Sequence, residues 1–160
     1  LLFEQDRGKW DRLLITRGLA ALKRAEALRR PFGPYALQAA ISGCHAIART
    51  PEETDWPRIV ALYDALVEAT GSPVVELNRA VAISMAYGPA EGLELVDELA
   101  DEPLLQDYYL LRAVRGDMLA KLGRRDEARA EIEKAARMAT NVRERDILLT
   151  RAAALGAPSV

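Results

Sequence analysis

A chain of 160 residues with 22 basic and 24 acidic side chains is long enough for one compact domain or one short helical array. Its near balance of charge gives no reason to expect a nucleic-acid partner. One cysteine excludes an internal disulfide, no apolar run approaches the ~18 residues that span a bilayer, and no signal-peptide pattern opens the sequence. A soluble, cytoplasmic protein with no membrane contact is expected. Leu, Ala, Glu and Arg dominate and aromatics are few, which favours an all-helical protein. The sequence begins Leu1-Leu2-Phe3 without an initiator Met, so it is expected to be a piece of a longer protein.

The distribution of charge says more than its sum. Residues 1–30 carry net +4, residues 31–48 carry no Asp, Glu, Lys or Arg, residues 49–107 carry net −10, and residues 108–160 carry net +4. A central segment at −10 repels a phosphate backbone, so no direct DNA contact is expected.

In chain order, Trp10, Leu14, Ala21, Ala25 and Leu28 recur at helical intervals and predict a first helix over 9–29. Pro31, Gly33 and Pro34 interrupt it, and Pro34 suits the first turn of a second helix ending near Ala48. Asp55 is a plausible cap for a third helix over 57–70, with Pro57 early in it. Ile59, Leu62, Tyr63, Leu66 and Val67 give that helix the clearest amphipathic stripe. Gly71-Ser72-Pro73 and Gly88-Pro89 bracket a fourth helix, from Val74 to Tyr87. A fifth covers Ala90 to Ala100 and a sixth about 107–122. After a turn at Gly123, a seventh runs from Glu127 to Met138, and Asn141 can cap an eighth over 143–155. No strand is predicted.

Gly116, Leu119, Gly123, Ala128, Ile132 and Ala135 match the small-and-bulky spacing of a tetratricopeptide unit. Thirty-six residues earlier stand Ala80, Ile83, Tyr87, Gly92, Val96 and Leu99. Small residues at such positions let helices cross closely, and each hairpin leaves an apolar face that the next covers. The expected fold is an all-α, right-handed superhelical array of antiparallel hairpins, a tetratricopeptide-like solenoid of about eight helices. It is expected to form a single domain over 1–160: an N-terminal helix at 9–29, a degenerate hairpin at 34–70, repeats at 73–100 and 107–138, and a capping helix at 143–155.

The second helix holds the only His and the only Cys. Neighbours in a helix point about 100° apart, so Cys44 and His45 cannot readily activate one another. The chain has no zinc-ligand set, phosphate loop or HExxH motif, so neither an enzyme nor a cofactor or metal is expected. Gln38, Ser42 and His45 fall on one polar strip. It is either hydrogen-bonded to a neighbouring helix or, with Tyr35, part of a concave groove. Asn78 and Arg79 occupy the corresponding helix of the next unit, where Asn78 either ties two hairpins together or lines the groove. Arg112 and Arg115, one turn apart, are either solvated or answer the acidic run Glu91, Glu94, Asp97, Glu98 and Asp101.

Several stretches taken together resemble a known family. They are Glu4-Gln5-Asp6-Arg7 with Trp10-Asp11; Gly33-Pro34-Tyr35 with Leu37-Gln38-Ala39-Ala40-Ile41 and His45; Thr54-Asp55-Trp56 with Ile59 and Leu62-Tyr63; and Ser72-Pro73-Val74-Val75 with Leu77-Asn78-Arg79-Ala80-Val81-Ala82. Gly88-Pro89 and the hairpin from Gly123 to Ala136 complete the series. The chain is similar to the C-terminal tetratricopeptide-like extension of bacterial extracytoplasmic-function (ECF) RNA polymerase sigma factors. That resemblance implies a regulatory, protein-binding module in transcription initiation, with sigma regions N-terminal of residue 1. Implied partners are its own sigma regions, core RNA polymerase and a small YCII-related protein. A small-molecule or peptide sensor, binding in the concave groove, is the alternative.

Overall fold

The computed structural model describes residues 7–28 and 31–156. The expected end of the first helix at Arg29 and the Glu4-Gln5-Asp6 part of the first motif lie outside them. Eight α-helices and no strand are present among the described residues: α1 Arg12–Ala27, α2 Pro34–Ile47, α3 Trp56–Thr70, α4 Pro73–Ala86, α5 Pro89–Glu98, α6 Tyr109–Lys121, α7 Arg125–Met138 and α8 Val142–Gly156. The all-α class and the order of helices follow the punctuation of the sequence. Proline stands in the first turn of α2, α3 and α5, where its missing N–H leaves no bond unmade. Asp55 caps α3 by accepting from the Arg58 amide at 3.0 Å. Asn141 caps α8 by accepting from the Arg143 amide at 2.9 Å. Gly71 ends α3 with φ of 58°, a left-handed conformation that glycine adopts without a Cβ penalty.

The described residues fall into two compact units, one up to Val75 and one from Glu76 onward. In the first, α2 packs against both α1 and α3. Its buried apolar residues are Leu37, Ala40, Ile41 and Cys44, and those of α3 are Ile59, Val60 and Leu66. The apolar face of α1 differs from the expected one. Leu14 and Leu28 are exposed, and the half-buried residues are Ile15, Leu19, Leu22 and Ala25. The reason is Gly43: Leu19 and Leu22 reach to within 3.3 and 3.4 Å of where its Cβ would stand. The helix also starts later than expected, because the Asp11 carboxylate caps it by accepting from the Leu13 and Leu14 amides.

In the second unit, α5 packs on α6, α6 on α7 and α7 on α8. Leu77, Ala80, Leu93, Val96, Leu105, Leu111, Met118, Leu119 and Ala128 form one core cluster. Ala113, Ile132, Ala135, Ala136, Ala139, Leu148 and Ala152 form a second. Full burial of each large aliphatic side chain contributes about 1.5–3 kcal/mol. Two close approaches set the helix spacing. A Cβ on Gly92 would lie 2.5 Å from Ser84 Cβ and 2.9 Å from the Ala80 carbonyl oxygen. A Cβ on Gly116 would lie 2.6 Å from Ile132 Cγ1 and 3.1 Å from the Ala128 carbonyl oxygen. In each case a glycine meets a carbonyl on the partner helix and the side chain one turn beyond. The paired positions, 80 with 92 and 116 with 128, have the same separation, but the glycine has changed helices. Gly88 and Gly123 have positive φ at the α4–α5 and α6–α7 turns, where the sequence marked breaks.

Candidate functional site

In the first unit the residue that organises the most chain is Arg7, which the sequence analysis quoted only as part of a motif. Its guanidinium donates to the backbone carbonyls of His45 (3.1 Å), Ala48 (2.8 Å) and Thr50 (3.0 Å), and to Thr54 Oγ1 (3.2 Å). It also stacks on Trp10, 5.4 Å from the ring centroid. The end of α2 presents carbonyls with no helical partner, and a cation there also answers the helix dipole. Arg7 therefore closes α2 and fixes the connector into α3.

His45 sits inside this arrangement. Its ring meets Trp56 edge-on at 5.3 Å, and its Nδ1 is buried without a hydrogen-bond partner. Burial, and then the Arg7 charge, push its pKa below the ordinary value, so the neutral ring is favoured. Burial likewise raises the Cys44 thiol, which makes it a poor nucleophile.

The rest of the expected polar strip has a different environment. Tyr35 is 90% exposed, and Gln38 and Ser42 are also exposed. Ser42 Oγ donates to the Gln38 carbonyl of its own helix at 3.0 Å. The expected bond from the strip to a neighbouring helix is thus replaced, at Ser42, by the local back-bond that serine makes in helices. The strip is continuous in register, but only its His45 end is covered.

In the second unit Asn78 is exposed, and Arg79 pairs with Glu76 one turn earlier at 2.7 Å. Arg112 and Arg115 belong to a charged network. Arg115 donates to Asp97 at 2.7 Å, within the acidic run that the sequence offered as its partner. Arg112 turns instead to Glu131, 3.4 Å away. Glu131 also receives Lys134 at 2.8 Å and approaches Arg115 at 3.6 Å, and its side chain is only 7% exposed. A buried carboxylate with three cations around it is satisfied electrostatically, and it holds both arginines in place. The sequence carried one signal of this: Glu131 lies beside Ile132 in the stripe Ala128, Ile132, Ala135, where an apolar residue is the usual occupant.

A groove of about 620 Å³ between α7 and α8 was not foreseeable from the spacing of residues. Ala136, Leu149, Ala152 and Ala153 line its floor, and Arg129, Glu133, Arg137 and Arg145 its rim. Arg129 pairs with Glu133 at 2.8 Å, and Arg145 donates to the Ala139 carbonyl at 3.2 Å. A groove of about 430 Å³ between α1 and α2 is lined by Leu14, Ile15, Leu19 and Leu22 against Ala39, Ser42 and Gly43, without any charge. No group of three or more His, Cys, Asp and Glu side chains suited to a metal occurs among the described residues. No described helix is long and apolar enough to cross a membrane.

No protein-family model matches the chain, and no solved structure matches it. It is 46% identical over 144 residues to an uncharacterized protein of Rhizobium meliloti (strain 1021), covering 90% of this chain and 33% of that protein. The chain thus spans about a third of the length of the curated relative it matches.

Proposed function

We propose that this chain is the helical-repeat regulatory module of a bacterial ECF RNA polymerase sigma factor, acting in the cytoplasm by binding protein and not by catalysis. Its partners are its own sigma regions, core RNA polymerase or a small YCII-related protein. The finer fold, a right-handed superhelical array of antiparallel hairpins, belongs to the same proposal. The observation that carries it is the pair of mirrored close approaches, Gly92 on the Ala80 carbonyl and Gly116 on the Ala128 carbonyl. In both α4–α5 and α6–α7 a glycine lets the neighbouring helix approach closely, as the hairpins of a protein-binding array require. Two further observations support the reading. The Arg7 and Trp10 positions of the first motif stack on one another, which gives that motif a physical role. The matched relative is about three times as long as the match, as a protein with sigma regions elsewhere must be.

The test is promoter-specific transcription by the whole protein with core polymerase, intact and with this module removed. Lost transcription, with the sigma regions still folded by circular dichroism, makes the module a required scaffold. Increased transcription makes it an inhibitory cover. Unchanged transcription overturns the proposal.

A further inference from the structure

We infer that the α7–α8 groove is a docking site for an acidic amphipathic helix of a protein partner. The inference rests on the protein-binding reading above and names the chemistry it recognises. The floor is apolar: Leu149, 48% exposed, lines it together with the buried Ala136 and Ala152. Leu149 and Ala153, one turn apart on α8 and both exposed, give the floor a short apolar stripe, with Arg145 one turn before it. The lining runs from Arg129 to Arg137 on α7 and from Arg145 to Ala153 on α8, giving a trough of about 13 Å at 1.5 Å per residue, room for between two and three helical turns.

The rim selects the sign of the partner. Three guanidiniums and one carboxylate line it. Arg129 is neutralised by Glu133, Arg145 is held at a carbonyl, and Arg137 has no acidic partner among the described residues. An occupant with an apolar stripe flanked by Glu or Asp satisfies floor and rim together, the helix-in-groove mode of recognition. The charges steer the encounter and reject a basic helix, while the floor supplies the contact area. A nucleic-acid backbone has the charge but no apolar stripe, and a lipid surface is flat where this site is concave.

Two synthetic helical peptides with the same leucine stripe, one flanked by Glu and one by Lys, are titrated against the 160-residue chain by fluorescence anisotropy. The Glu peptide is expected to bind on the order of tenfold more tightly at low salt, with the preference shrinking at high salt. Arg137→Glu, at an exposed position, is expected to abolish the preference. Ala153→Glu, which puts a charge on the floor, is expected to abolish binding, with circular dichroism confirming the fold; if that variant unfolds, Arg137→Glu decides alone.

Equal affinity for both peptides overturns the proposal, as does a preference that survives Arg137→Glu. Sedimentation velocity covers the remaining occupant: self-association that Arg137→Glu removes assigns the groove to a second copy and overturns it too. Arg137→Glu in the whole protein separates this inference from the one beneath it. If transcription is unaffected there but lost on removal of the module, the groove proposal fails and the module reading survives. If removal has no effect while the peptide preference holds, the reverse follows.

Discussion

The two units solve the same problem, covering a helix whose neighbours are short, by different means. In the second, helices meet at glycines and interleave large side chains: Leu105, Leu111, Leu119, Val96 and Ile132 are almost completely buried. In the first, α1 buries no residue fully, and the connector between α2 and α3 is secured by one guanidinium. Apolar packing spreads its contribution over many side chains, whereas a polar tie concentrates it in one. The second unit should therefore respond to volume and buried charge, and the first to the loss of a single residue.

The largest effect is expected at Glu131. Glu131→Ala leaves Arg112, Arg115 and Lys134 without their shared carboxylate, and losing such a charge-assisted set costs about 1.5–3 kcal/mol. Urea unfolding measures it, and a loss below about 1 kcal/mol would mean that the three cations are simply solvated. Next come Gly92→Ala and Gly116→Ala, each expected to cost about 1–3 kcal/mol by overpacking. Gly92 should be the more severe, because its Cβ meets a backbone oxygen at 2.9 Å, against 3.1 Å at Gly116. Free acceptance of alanine at both sites would mean that neither close approach sets its helix spacing.

Arg7→Ala is expected to cost about 1.5–3 kcal/mol, the range for hydrogen bonds to a charged group. Hydrogen exchange should show lost protection in α2 and α3 with α5–α8 unchanged. Arg7→Lys should restore it only in part, since one ammonium can replace Nη1 at the carbonyls but cannot also reach Thr54 Oγ1 as Nη2 does. Protection lost equally in both units would mean that Arg7 does not act on the first unit alone.

The smallest effect concerns pH. His45 takes up its proton less readily when folded than at its ordinary value of 6.5. As pH falls through 6.5 the unfolded chain binds the proton first, so stability drops; above that value the contribution is constant. Melting temperatures between neutral and mildly acidic pH should fall more steeply for the native chain than for His45→Asn. Parallel curves would show that the ring titrates freely.

Much of this architecture was legible because Pro and Gly punctuate it: Pro34, Pro57, Pro73 and Pro89 each stand within the first turns of a helix, and Gly71 and Gly123 mark turns. The 36-residue correspondence located both close approaches, since a small residue is conspicuous inside an apolar stripe. The face of α1 was misread because Leu14 and Leu28 are as apolar as Leu19 and Leu22, and only the missing Cβ of Gly43 decides between them. Arg7 was illegible as a tie: its acceptors are backbone carbonyls, which every residue has, about forty positions away. The basic groove was hidden for a related reason. Arg129, Arg137 and Arg145 look like ordinary solvated charges until α7 and α8 are laid side by side.

The Arg7 tie has a mechanical consequence. It joins the chain ahead of α1 directly to the end of α2 and the connector beyond it, bypassing both helices. Tension applied at Arg7 is therefore delivered first to the α2–α3 junction, and α1 and α2 become slack in a closed loop, able to loosen without lengthening the molecule.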